Sequence, residues 1–219
     1  MNMPTRTMIL VFLVIVGVAP LLNAQYVRIG NASANPEALV QDTTKGRFVM
    51  KNLIRRMIGA ARLDAQTYEQ VEADPASMTG ALFTAVIASI AAAVGTGIRD
   101  FVGLASATFV LLITWVVWVG LTYVIGTRLL PESATHSDLG KVFRTTGFSA
   151  SPGILRILAL IPAIGLPVYI GVTFWMLLAF VVAIRHALDY TSFTRAFAVC
   201  FLGWLIYGVL FFGIVYVAL

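Results

Sequence analysis

The sequence predicts an all-α, polytopic membrane protein: a five-helix transmembrane bundle preceded by an extra N-terminal hydrophobic anchor or signal segment. Three observations carry that prediction. Of 219 residues, 59% are hydrophobic and 11% charged, whereas a soluble domain carries about 25% charged residues. So little charge cannot cover a water-facing surface of this size, which excludes a soluble enzyme and a disordered chain. Apolar stretches of about 20 residues, the length a spanning helix needs, recur from residue 79 to the C-terminus. The basic residues between those stretches fall almost entirely on one side of the implied membrane. The single cysteine, Cys200, excludes a disulfide framework within the chain and a Cys-based zinc site.

The chain reads as three parts: an anchor or signal-like segment over 1–24, a linker and basic amphipathic helix over 25–78, and a five-span domain over 79–219. Met8–Leu22 is an apolar run preceded by Arg6, and Leu22-Asn23-Ala24 resembles a cleavage site. Cleavage would deliver every later basic loop to the wrong side, so the charge pattern favours an uncleaved anchor. Tyr26–Gly46, rich in Gly, Asn, Ser and Thr, is expected to be an extended linker. In Gly46–Ala61, Phe48, Leu53, Met57 and Ile58 alternate with Lys51, Arg55 and Arg56 at helical spacing, between Arg47 and Arg62. Such a helix suits an anionic membrane face or the ends of a helical bundle. Asp74-Pro75 marks a turn before the first span.

The first span is expected at Thr79–Ile98 and the second at Phe101–Gly126, a hairpin separated only by Arg99-Asp100. Pro162, Gly165 and Pro167 divide the next apolar stretch into Gly147–Ile161 and Leu166–Ile184. The former is short enough to be tilted, broken or partly re-entrant, and Ser151-Pro152-Gly153 interrupts it. Ala196–Leu219 closes the chain. Five spans place Arg28, Lys45, Arg47, Lys51, Arg55, Arg56, Arg62, Arg128, Lys141, Arg144, Arg185 and Arg195 on one side, with Arg99 alone on the other. By the positive-inside rule, residues 25–78 are expected in the cytoplasm and the C-terminus outside.

An ionisable residue within a span is a functional candidate by default. Arg156 meets that description beside Pro152 and Gly153, where a broken helix resembles the way transporters build ion or substrate sites. The bland reading is a side chain that snorkels to the headgroups or pairs with Asp138 or Asp189. His136 and His186 are too few and too unlike in setting for a metal site, and Asp189 is placed to pair with His186. Cys200 reads as a packing residue. Ala85, Ala88, Ser89, Ala92, Ala93 and Gly97 line one side of the first span and allow close backbone approach, most economically to the second helix of the hairpin. No cofactor and no nucleic-acid partner is implied.

Four segments then resemble the bacterial proteins of the Yip1 domain family: RRMIGAARLDAQTYEQVEADPASMTGALFTAVIASIAAAVG within Ile54–Ile98, GTRLL at Gly126–Leu130, FRTTGFSASPGILRILALIPAIG at Phe143–Gly165, and AIRHALDYTSFTRAFAVCFLGWL at Ala183–Leu205. The resemblance covers about residues 50–219; residues 1–49 depart from it. It implies five membrane helices with a cytoplasmic N-terminal region. The eukaryotic branch is associated with small GTPases through an acidic Asp-Leu-Tyr-Gly-Pro element, of which only Asp74-Pro75 is represented here, so that role is not carried over. The expected function is a non-catalytic scaffold, adaptor or membrane-organising protein contacting anionic lipids. The alternatives are a small transporter or channel subunit using the broken third and fourth spans, and an accessory subunit docked on another membrane protein.

Overall fold

The computed structural model describes residues 36–132, 135 and 137–218, with side chains from residue 49 onward except 207 and 210–218. The anchor at 1–24, the first half of the expected linker, His136, and the side chain of Arg47 lie outside the described residues. The chain divides into two compact units, 1–52 and 53–219. Helix α1, Pro36–Ala61, begins in the first and ends in the second. The expected extended linker is therefore corrected from residue 36 onward. Pro36 occupies the first helical position, where its missing N–H costs nothing, and Glu37, Ala38 and Leu39 are good helix formers.

The second unit contains α2 (Ala65–Ala73), α3 (Ser77–Gly95), α4 (Phe101–Val124) with a π-turn at Ile125–Leu129, α5 (Leu139–Ser149), a 3₁₀ segment (Ser151–Leu160), α6 (Gly165–Ala187) and α7 (Phe193–Ala218). Carboxylates start three of these helices. Asp64, Asp100 and Asp138 accept from the backbone N–H of Thr67, Gly103 and Lys141 at 3.1, 2.7 and 2.9 Å, which satisfies N–H groups that have no intrahelical partner. The turn after α3 uses Gly97 at φ +84°, in the left-handed region open to glycine. No strand occurs among the described residues.

Among the described residues, three helices are long and apolar enough to cross a membrane: Ser77–Gly95, Phe101–Leu129 and Gly165–Ala187. Phe193–Ile206 continues the apolar character into α7. Between α4 and α6, the segment over Gly147–Ile161, expected to be interrupted at Ser151-Pro152-Gly153, is two pieces. Regular helix stops at Ser149, and the chain proceeds as 3₁₀ from Ser151 to Leu160. Pro152 lies in the first turn of that segment, where its ring is tolerated. At about 2.0 Å per residue, ten 3₁₀ residues cover about 20 Å, more than an α-helix of the same length. Large apolar side chains such as Phe101, Val110, Leu166 and Phe174 are exposed on the bundle, the pattern of a surface solvated by lipid.

Two buried clusters hold the unit together. One joins Val119, Ile125, Val142, Phe180, Ile184 and Val199 across α4 to α7, with Trp118 stacked on Phe180 at 4.2 Å. The other joins Ala60, Tyr68, Val71, Ala81, Phe148 and Ala183, and takes Leu53 and Met57 from the end of α1. The small-residue side of α3 packs closest on α5 and the 3₁₀ segment, which corrects the expectation that α4 would be its main partner. A Cβ at Gly147 would stand 2.7 Å from the Ala81 carbonyl oxygen, and one at Gly95 would collide with that of Arg156. Backbone-to-backbone contact this close exists only because glycine faces it.

Gly147→Ala should accordingly lower the thermal unfolding midpoint in detergent, as overpacking at such contacts costs about 1–3 kcal/mol. Gly171→Ala is the control, because a Cβ there meets nothing within 4 Å and alanine favours helix by about 0.5–1 kcal/mol. Equal midpoints for the two variants would contradict the close approach.

Candidate functional site

The starts of α3, α5 and α7 and the ends of α4 and α6 gather at one end of the second unit, where most of its basic residues also lie, Arg99 and Arg156 excepted. Tyr190 donates its hydroxyl to the carbonyls of Gly126 and Leu130 at 2.7 and 2.8 Å, tying the α6–α7 turn to the π-turn. Burial pushes the Tyr190 phenol up to about 12. Glu132 accepts from the N–H and hydroxyl of Thr191 at 2.9 and 2.8 Å, and Arg195 closes on it at 3.6 Å. These bonds hold the Glu132 carboxyl below the usual carboxylate range.

On the neighbouring face, α2 is fastened to α5 and to the end of α1. Lys141 pairs with Glu72 at 2.7 Å, which raises the Lys141 ammonium above its ordinary value, and Arg144 donates to the Glu72 carbonyl at 2.6 Å. Arg56, one of the expected lipid contacts, turns inward instead: it reaches Asp74 at 2.9 Å and the Ser77 hydroxyl at 2.7 Å. Asp74 also accepts from the Ser77 hydroxyl and the Ala76 N–H, both at 3.0 Å, so the residue read as a turn marker is the hub joining α1, α2 and α3. Pro75 is exposed and its carbonyl accepts from the Met78 N–H at 3.2 Å.

Arg55 and Arg62 keep their exposure, and Ile54 and Ile58 stand out beside them at 48% and 47%. Lys51, in the first unit, is exposed as well. Sequence reasoning missed what lies beneath. The Trp175 indole N–H donates to the Ala61 carbonyl at 2.7 Å, and Tyr68 donates to the carbonyl of Ala60 or Ala179, at 3.0 and 3.2 Å. Trp175 is twelve residues from the end of α6, about 18 Å along the helix. The end of α1 therefore lies against the flank of a membrane-spanning helix, well inside its end. His186 stacks on Tyr68 at 5.9 Å, with Glu69 at 4.0 Å; Glu69, rather than the expected Asp189, is thus the carboxylate within ion-pair distance, and Asp189 stands at φ +55° in the turn after α6.

Arg156 sits at the other end, where its backbone adjoins Gly95. Pro152 and Gly153 are buried beside it. A Cβ on Gly153 would stand 2.8 Å from the Met176 sulfur and 3.2 Å from Ala88, so glycine lets the 3₁₀ segment pass between α3 and α6. The Arg156 guanidinium donates to Thr173 at 2.9 Å and lies 5.0 Å over the Tyr169 ring. It thus pairs with neither Asp138 nor Asp189, the partners expected for it; both belong to the opposite, basic end. The aromatic face offers the cation electrostatic support without neutralising it. Among the described residues, no group of three or more His, Cys, Asp or Glu side chains could hold a metal ion.

The Asp74 hub has a pH signature. The Arg56 hydrogen bond holds the Asp74 carboxyl below its usual range, against a smaller opposing effect of burial. A carboxylate depressed in the folded state stabilises the fold above its unfolded value, about 3.9, and loses that contribution as pH falls through the folded value. Asp74→Asn should therefore cost about 1 kcal/mol or less near neutrality, since the side chain is 38% exposed. It should also flatten the loss of detergent-solubilised stability between about pH 5 and 3. An unchanged acid profile in the variant would remove Asp74 from that role.

No curated protein and no solved structure matches the chain. The model of the Yip1 domain matches residues 63–215, a range that takes in α2, both ends of the bundle and the segment bearing Arg156. With most of its length matched in this way, and with a helical, lipid-solvated bundle as its fold, the chain belongs to the Yip1 domain family of membrane proteins.

Proposed function

We propose that this protein is a non-catalytic membrane-organising scaffold of a bacterial inner membrane, with α1 and α2 on the cytoplasmic side and the C-terminus outside. Its working surface is the outer side of α1, which lies in the anionic interface. The observation that carries this reading is the bond from Trp175 to Ala61 at 2.7 Å: a helix pinned to the flank of a spanning helix meets lipid along its free side. There Ile54 and Ile58 supply apolar area, and Arg55 and Arg62 supply charge. Each basic residue near an anionic surface contributes about 1 kcal/mol, and the apolar stems of arginine lie along the interface while the heads remain wet. The side chains turned inward, Arg56 and Arg144, serve to hold the α1–α2 platform to the bundle, which supports a platform rather than a moving gate. The basic asymmetry of the ends supports the orientation.

A fluorophore on Ile58→Cys, in a Cys200→Ala background, tests the reading in the full chain reconstituted in vesicles. Its emission should be quenched by lipids carrying a shallow spin label. Quenching should be stronger with phosphatidylglycerol than with phosphatidylcholine, and Arg55→Glu with Arg62→Glu should reduce it. Quenching by a soluble ion with none from lipid would overturn the lipid contact. Reporters fused at Gly46 and after Leu219 test the orientation separately; an external position for residue 46 would invert it.

A further inference from the structure

A cavity of about 250 Å³ lies within the bundle, between α3, α4, the 3₁₀ segment and α6. Its wall is largely apolar, with Ala88, Ala92, Leu177 and Met176, and its polar content is unusual. Three lining residues carry buried N–H groups with no hydrogen-bond partner among the described residues: Trp115 Nε1, Trp118 Nε1 and Arg156 Nε. The Trp118 N–H lies at the α7 wall, next to Gly203. Hydroxyls in the same wall are already committed to backbone carbonyls: Thr146 to Val142, Ser149 to Thr146 and Thr173 to Tyr169, at 2.6 to 2.7 Å. The Thr173 oxygen in turn accepts from Arg156, yet the three N–H groups find no acceptor among the described residues, and a donor left unpaired inside a bilayer is costly.

The charge points the same way. Arg156 has a threonine hydroxyl and a tyrosine ring as partners and no carboxylate among the described residues. An anion rich in acceptor oxygens satisfies both needs at once, and arginine is the side chain that holds phosphate best. The apolar wall and the two exposed lining residues, Thr173 and Trp204, indicate what else the ligand carries. A lone hydrated ion gains nothing from alanine and methionine, whereas an apolar chain leaving past Trp204 does. We propose that this cavity binds the head of an anionic membrane lipid, its phosphate oxygens accepting from Arg156 and Trp115 while an acyl chain runs out to the bilayer. The site is separate from the interfacial face of α1 and does not depend on it.

The full chain, purified in mild detergent, is tested with phosphatidylglycerol, phosphatidylcholine and inorganic phosphate as probes, using native mass spectrometry and thermal unfolding. One phosphatidylglycerol should be retained per chain and should raise the unfolding midpoint. Arg156→Gln should weaken that retention by about tenfold or more, the usual effect of losing a charged hydrogen bond. Arg156→Lys should fall between it and the wild type, and Trp115→Phe should weaken retention a few-fold. If Arg156→Gln does not fold, Trp115→Phe carries the test, because it removes the N–H and keeps an aromatic ring. Folded variants that retain the lipid as the wild type does would overturn the proposal, as would equal retention of phosphatidylcholine. Displacement of the lipid by millimolar phosphate would assign the site to a soluble anion and overturn the lipid assignment. Failure of phosphate to compete would support it.

Discussion

A chain that leaves α-helical geometry inside a bilayer must find partners for the backbone groups it frees, because no water is there to take them. The segment after Ser149 meets that constraint within its own length. Ala150 N–H bonds back to Gly147 at 3.3 Å, Gly153 to Ala150 at 2.8 Å and Ile161 to Leu158 at 3.1 Å. The Ser149 and Ser151 hydroxyls donate to the carbonyls of Thr146 and Phe148 at 2.7 and 2.6 Å. The 3₁₀ geometry is thus a closed solution rather than an unravelled helix. It has a steric condition as well: the narrower segment slots between α3 and α6 only where Gly95 and Gly153 leave room, after Gly147 has let the end of α5 approach α3.

From that insertion follow the two features that give the molecule chemistry. Arg156 is carried on a short-pitch segment whose neighbours are alanines, a threonine and a tyrosine, so its charge meets dipoles and a ring. The cavity beside it is bounded by α3 and α4 on one side and α6 on the other. A regular α-helix through the same stretch would be shorter for its residue count and wider, and the small side of α3 would have no such partner.

The opposite end follows another logic. Basic residues are concentrated there, and individually many are structural: Arg56 on Asp74, Arg144 on the Glu72 carbonyl, Arg195 on Glu132 and the Pro131 carbonyl, and Arg185 on the carbonyls of Tyr190 and Thr191. Those bonds span sequence separations of up to 72 residues and tie the helix ends into one platform. The charges left exposed, Arg55 and Arg62 among them, are the ones available to a surface outside the protein.

Much of this was legible in the sequence alone. Hydropathy over about 20 residues reports burial in lipid whatever the neighbours are, so the spans at α3, α4 and α6, the tight turn before Asp100 and the break at Pro162 could be read directly. Arg156 could be singled out because a charge in an apolar run is conspicuous wherever it points. The helix starting at Pro36 was not legible, because Asn, Ser and Thr around it suit a linker as well as a helix start and only the proline favours the latter. Which arginine bonds, and to what, was not legible: Arg55 and Arg56 are adjacent and chemically identical, yet one is exposed and the other meets Asp74, because a helix turns each residue by 100° and packing alone chooses the inner side. The same holds for the small side of α3, whose alanines fit any close neighbour, and for Trp115 and Trp118, whose place in an apolar run does not reveal that they line a cavity. Sequence sets what each segment can bury; the tertiary structure decides which surfaces meet, because those contacts join residues that no local pattern relates.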